Sequence, residues 1–274
     1  MIYIVTAVHN RFAITESFVH CLLKQTVKDI RLVLVDDGCT DGTSHMVYRL
    51  MPSAVVLKGN GNLYWAGGLN LAYQWLSVNS DDNDYILFAN DDTYFDEDYI
   101  QIAIGYLDKY KTDLITGCGY GLQSGKQIDG VVKWNFKDGT SSTAFLPNDI
   151  GNCASTRSLF MMASTMKKLG KFHPILLPHY GSDYEWTLRA RKKGIHVRSF
   201  SNLAYKCNEN TTGDNNINSL TLKKLFSKRS NKNPIYRLNF VILSTPAKFL
   251  PHHLCCQIKR YAKKILTLPQ ERKA

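Results

Sequence analysis

Nowhere in the 274 residues does an apolar run approach the roughly 18 positions a membrane-spanning helix needs, so no transmembrane anchor is expected. The start is equally bare: Met1 runs straight into the strand-like Ile2-Tyr3-Ile4-Val5, with neither a charged n-region nor a small-residue cleavage site. A secretory signal is therefore not expected, and the chain is placed in the cytoplasm. The seven cysteines (Cys21, Cys39, Cys118, Cys153, Cys207, Cys255 and Cys256) form no CxxC pair. Their odd number and scattered spacing argue against both a disulfide framework and a zinc site. Acidic residues are missing from one end only. From Ser219 onward 13 Lys or Arg stand against the single acid Glu271, and that surplus exceeds the +11 of the whole chain. The body is close to neutral, and the basic character belongs to the last stretch.

With 44% hydrophobic and 21% charged residues, the composition is that of a folded protein. Short β-branched runs alternate with helical patterns through the first hundred or so residues, the arrangement of parallel strands with crossover helices. Strands are predicted at Ile2 to Val8, Arg31 to Val35, Ala54 to Leu57 and Tyr85 to Ala89, with helices over Ala13 to Lys24, Thr43 to Met51 and Gly67 to Ser77. The fold class is α/β, a doubly wound and mostly parallel sheet with flanking helices. Residues 117 to 152 read as irregular connections around a short strand near Val131 to Asn135. A helix at Thr165 to Leu169, another from Asp183 to Lys193 closed by Gly194, and a strand at Ile195 to Phe200 follow. Ligands of such sheets bind outside the carboxyl ends of the strands.

Four motifs stand at those ends. Asp36-Asp37-Gly38, running on to Asp41-Gly42-Thr43, puts carboxylates where a nucleobase or ribose hydroxyl could donate to them, or where they merely form a turn and cap a helix. Asp91-Asp92 follows the buried-looking strand Tyr85 to Ala89. Adjacent carboxylates repel, and become favourable when a divalent cation sits between them and a diphosphate, although a solvated turn is the plainer alternative. Gly59 to Asn70, with Asn62, Trp65, Gly67 and Asn70, lets backbone approach a ligand and points helix N–H groups at an anion, or makes a tight connection around a core Trp. Last, Asp183 stands at the start of an amphipathic helix, where the macrodipole favours its ionised form. It can then take a proton from an attacking hydroxyl, or serve only as a cap.

In this order and spacing the motifs resemble the family 2 glycosyltransferases of the GT-A fold, including bacterial rhamnosyltransferase-like members, over roughly residues 1 to 208. The resemblance implies an inverting transfer of a hexosyl or deoxyhexosyl group from a UDP- or dTDP-sugar to a glycan or lipid-linked glycan acceptor, in surface polysaccharide or lipopolysaccharide synthesis. It implies Thr6, Val8, Asn10 and Asp37 at the nucleoside, Asp91 at the diphosphate, Asp92 on Mg2+ or Mn2+, and Asp183 as base, with Trp186 and Arg189 on the helix behind it. Two departures are visible: the acidic motif reads Asn90-Asp91-Asp92-Thr93, and no His stands at Ala204 to Asn208, where family members often complete the metal site. Lys206 is expected to approach the diphosphate instead, with His179 and His196 as fallback ligands.

These expectations divide the chain into a catalytic domain, 1–218, and a basic amphipathic helical region, 219–274. The latter interleaves Lys and Arg with Phe226, Phe240, Leu250, Ile258 and other apolar residues. Such a segment lies on an anionic membrane surface, here the inner face of the plasma membrane, or packs on the domain or a second protomer. Two rival classes are a nucleic-acid binder, which the near-neutral body disfavours, and a non-catalytic nucleotide-sugar-binding module.

Overall fold

The computed structural model describes residues 1–143, 149–211 and 222–266. The first half builds β1 (Ile2–Val8), α1 (Phe12–Leu23), β2 (Ile30–Asp36), α2 (Thr43–Leu50), β3 (Val55–Lys58), α3 (Tyr64–Asn79), β4 (Tyr85–Ala89), β5 (Thr93–Phe95) and α4 (Tyr99–Lys109). Then come β6 (Leu114–Gly121), β7 (Gln127–Asp129), β8 (Val132–Asn135), β9 (Thr140–Thr143), β10 (Ile150–Gly151), β11 (Ser158–Met162), α5 (Ala163–Leu169), α6 (Ser182–Lys192) and β12 (Val197–Cys207). Helices α7 (Leu222–Leu225), α8 (Pro234–Ser244) and α9 (Leu250–Leu266) close the described chain.

The main sheet runs β10-β12-β6-β11-β4-β1-β2-β3, with β5 on β12 and β7 on β6. Its β3-β2-β1-β4 half is parallel, as is the β6–β12 pair. Strand β11 lies antiparallel between β4 and β6. The sheet is therefore mixed and mostly parallel, flanked by helices on both faces. Alternation sorts the side chains. Ile2, Ile4 and Val8 of β1 and Leu32 and Leu34 of β2 pack with α1, α2 and α4, while Tyr3, Val5, Val33 and Val35 pack with α3, α5 and α6.

Residues 117 to 152 correct the expectation of irregular connections. More than half of its described residues lie in strands, and its glycines have a packing reason. A Cβ on Gly117 would stand 2.1 Å from the Tyr99 hydroxyl, and one on Gly119 would stand 2.7 Å from the Tyr205 ring. The bare strand thus makes room for two buried tyrosines, a spacing that composition alone reads as loop.

The C-terminal helices are part of the packed body. Phe240 of α8 is buried with Val132, Phe136, Cys153, Leu177 and Leu188 in a third core, edge-to-face with Trp134 at 5.2 Å. His253 of α9 is buried, its Nε2 2.6 Å from the Phe136 carbonyl oxygen. The first turn of α8 has Asn233 capping the Ile235 N–H at 3.0 Å, followed by Pro234. Apolar Ile242 and Ile258 stay exposed. Among the described residues no helix is long and apolar enough to cross a membrane. All seven cysteines are free.

Candidate active site

Strands β1, β2, β4, β6 and β12 all present their carboxyl ends on one edge of the sheet, and the antiparallel β11 brings its amino end, Ser158 opposite Ala89, to the same edge. The loops there enclose a cavity of about 900 Å³ lined, among others, by Val8, Asp37, Trp65, Asp91, Asp92 and Asp183.

The first acidic motif is largely committed to structure. Asp36 accepts from the Cys39 N–H and bonds Lys58 at 2.6 Å and Ser44. Burial alone would raise its pKa, but these partners bring it down to about 2. Asp41 caps α1 through the Phe12 N–H at 2.9 Å and orders the start of α2 through Thr43. Asp37 reaches across to the Gly-rich loop, Oδ1 accepting from Gly61 N–H at 2.8 Å and Oδ2 from Leu63 N–H at 2.9 Å. Gly38 and Gly61, both at positive φ, let these loops touch, since a Cβ on Gly38 would stand 3.0 Å from Gly61.

At the end of β4 the second acidic pair meets an arginine that the sequence reading passed over. Arg11 Nε lies 3.1 Å from Asp91 and its Nη2 lies 3.4 Å from Asp92, and Thr15 donates to Asp91 at 2.9 Å. Burial lifts the Asp91 carboxyl to about 6 in spite of Arg11. A second arginine, Arg157, enters from the turn before β11, its carbonyl holding the Asn90 N–H at 3.1 Å. Its guanidinium stands 4.0 Å from Asp129, which in turn accepts from Ser155 and Tyr205 at 2.6 Å each.

Elsewhere around the same cavity, Gly181 at positive φ turns the chain into α6. Helix α6 is anchored by Trp186, stacked on Phe172 at 5.0 Å and donating to the Gly170 carbonyl at 2.7 Å, and by Arg189, which donates to the Leu169 carbonyl at 3.3 Å and pairs within the helix with Glu185 at 3.0 Å. This anchoring fixes Asp183, whose Oδ1 accepts from the Tyr184 N–H at 2.9 Å. Burial raises the Asp183 carboxyl to about 6. A carboxylate so placed is a competent base near neutral pH.

The remaining expected residues divide between the cavity wall and places away from it. Thr6 is buried on β1, and Asn10, at a φ of 52°, turns its side chain to the Thr40 N–H. Asn62 is exposed, Gly67 is buried under Leu63, and Asn70 sits in α3. None of these five lines the cavity. Trp65 does, tied by its Nε1 to Thr156 at 2.9 Å. Lys206 is exposed on β12 beside Tyr94 and does not line the cavity; Arg11 and Arg157 are the cations by the acidic pair. His196 lies exposed just before the amino end of β12, at the opposite edge, whereas His179 does line the site. Burial and the charge of Arg229 push His179 down to about 4. His9, Tyr64, Ser155, Glu209 and Arg229 are among the other lining residues given no role from sequence. Tyr64 stands inside the Gly-rich motif and His9 and Arg11 directly follow a strand, whereas nothing comparable marks Ser155, Glu209 or Arg229.

Among the described residues no three His, Cys, Asp or Glu cluster as a closed metal site. Asp91 and Asp92 fit an open one, two hard oxygen ligands whose remaining partners would be phosphate oxygens and water.

Comparison with known proteins accords with this geometry. The family described as Glycosyl transferase family 2 matches residues 3–168. Among solved structures, S. aureus TarS is similar with a TM-score of 0.62 at 16% identity, over 95% of this chain and 54% of that one. TarS residues 1–349 in complex with UDP-GlcNAc gives 0.61 at 14%, over 96% and 72%. GalNAc-T7 with UDP, GalNAc and Mn2+ gives 0.63 at 10%, over 87% and 48%. The chain thus spans about half the length of the TarS and GalNAc-T7 chains, and at these identities the likeness is one of fold. No curated protein matches it by sequence.

Proposed function

Since the chain belongs to glycosyl transferase family 2, we propose that its cavity binds a nucleotide-sugar donor and transfers the sugar to an acceptor hydroxyl in one inverting displacement, with Asp183 as base. The observation that carries this reading is that one cavity joins Asp183, half-buried and raised to about 6, to the Asp91–Asp92 pair with Arg11 and Arg157 beside it. A base must face the acceptor while cations and metal ligands face the leaving diphosphate, and the two sets come from different elements, the start of α6 and the ends of β1 and β4.

Asp183 takes the proton of the acceptor hydroxyl as its oxygen attacks the anomeric carbon. Arg11 and Arg157 stabilise the charge gathering on the departing diphosphate. Asp92, with Asp91 beside it, would hold Mg2+ or Mn2+, which supplies further neutralisation of that charge when bound. The donor is a UDP- or dTDP-sugar, hexosyl or deoxyhexosyl; UDP-GlcNAc and UDP are the ligands named for two of the similar structures. The acceptor is a glycan or lipid-linked glycan of a bacterial surface polysaccharide. Helix α9, with Lys259, Arg260 and Lys263 alongside exposed Ile258, suits contact with the anionic inner face of a membrane.

Thermal-shift measurements against UDP- and dTDP-sugars with Mg2+ or Mn2+ test the donor reading, because a ligand of the native state raises its apparent stability. At least one nucleotide sugar is expected to raise Tm. A flat response across the set would overturn it.

A further inference from the structure

The cations of the cavity do not all belong to its acidic end. Arg229 comes from the turn between α7 and α8, outside the residues the family matches, and lines the cavity together with Asp183, His179 and Tyr180. Its guanidinium lies 5.8 Å from the centre of the Tyr64 ring, and the ammonium of Lys228 lies 5.6 Å from the same ring. Tyr64 is held in the left-handed region at a φ of 55°, a conformation costly for an aromatic residue that persists only where its surroundings impose it. The imposing contacts are the Asp37 carboxylate on the Tyr64 N–H at 3.3 Å and the neighbouring Ala66 N–H bound to the Pro178 carbonyl at 3.0 Å. The second contact ties the start of α3 to the loop that carries His179 and leads into Asp183.

Two exposed like charges are thus gathered over one ring, Arg229 lining the cavity and Lys228 standing next to it outside the lining. Among the described residues no carboxylate forms an ion pair with either of them. Arg11 and Arg157, by contrast, each have a carboxylate partner at the acidic end of the cavity. An aromatic face offsets part of the repulsion between two cations, and an anion between them offsets more.

We propose that Arg229 and Lys228 form a phosphoryl-binding subsite on the acceptor side of the cavity, so that the acceptor carries a phosphate or diphosphate near the hydroxyl that attacks. The assignment to the acceptor rests on the reading of Asp183 as base, because the acceptor hydroxyl must lie against that carboxylate. A donor diphosphate is the other source of the same chemistry, and it has its own cations beside Asp91 and Asp92.

The test is calorimetric binding of inorganic pyrophosphate to the full chain, with and without saturating UDP or dTDP, in wild type, Arg229→Ala, Arg229→Lys and Lys228→Ala/Arg229→Ala. Wild type is expected to bind pyrophosphate even when nucleotide saturates the donor end. Arg229→Ala should weaken that binding about tenfold, the double variant more, and Arg229→Lys should retain most of it. Affinity for UDP or dTDP should change less than twofold, and an unchanged Tm certifies each fold. Pyrophosphate affinity unaltered in the double variant would overturn the subsite. A parallel loss of nucleotide affinity would overturn the acceptor assignment, giving Arg229 to the donor. Failure of the wild type to bind any nucleotide would instead count against the donor reading, while the pyrophosphate titrations without nucleotide still judge the subsite.

Discussion

Replacing Asp183 by Asn should make the protein more stable and nearly inactive at once, with both effects set by the same burial. The carboxyl is raised from 3.8 to about 6, mainly by burial, with Asp129 adding to the rise while the Tyr184 N–H and Arg157 oppose it. A displacement of that size means the ionised form destabilises the fold by at most about 3 kcal/mol. Opening toward cavity water reduces this, so about 1–3 kcal/mol is the working range. The sign follows from the direction. A group whose pKa is raised on folding gives its full stability below the unfolded value and loses it as pH rises through the folded one. Wild type and Asp183→Asn should therefore melt together near pH 4 and diverge to a plateau above about pH 7. There the variant gains several degrees of Tm, at about 2–4 °C per kcal/mol. Turnover should fall about 10²–10⁴-fold with donor affinity kept, and wild-type kcat/KM should decline as pH drops through about 6. Melting curves by calorimetry from pH 4 to 8, alongside single-turnover kinetics, measure both. A variant equally stable at every pH would refute the electrostatic account, and one that keeps turnover would refute the base.

Gly38→Ala should cost about 1–3 kcal/mol, from positive φ and the Cβ set 3.0 Å from Gly61, and should weaken nucleotide binding by parting the two loops; urea denaturation and calorimetry report the two effects. Mn2+ should tighten nucleotide binding to the wild type and not to Asp92→Ala, and activity wholly indifferent to EDTA would remove the metal from Asp92. Co-sedimentation with anionic vesicles should drop when Lys259, Arg260 and Lys263 become Ser; equal binding would discard α9 as a membrane contact. Truncation near Thr221 is a poor substitute for that experiment, since it removes Phe240 from the third core.

The parallel half of the sheet was legible because each strand is a β-branched run with alternating sides and each crossover has a helical period. Asp183 and the acidic pair were legible for a similar reason: they stand at element ends, where position fixes direction. What escaped was long-range. Arg157 reaches the acidic pair only because β11 runs antiparallel, and nothing in Ser158 to Met162 states its direction. Arg229 arrives by a chain reversal far from the motifs. Asp37 looked free to meet a nucleoside, but its carboxylate is shared with the Gly-rich loop, a partnership that depends on two glycines folding face to face. Lys206 was placed by analogy with a missing His, and strand alternation leaves it exposed instead.

The antiparallel insertion of β11 also bears on how the chain is made. Strands β1 to β4 join through local crossovers and are complete by Ala89, yet the far side of β4, with Ile86, Leu87 and Phe88, has no neighbour until Ser158 to Met162 emerges. At ordinary translation speeds that open edge waits for several seconds, a sticky interval in which a chaperone matters most. Asp37, Arg11 and Asp91 are all in the chain before this wait ends, and Asp183 and Arg229 are synthesised after it. A nascent chain can therefore carry the Asp37, Arg11 and Asp91 side of the cavity before the Asp183 side exists.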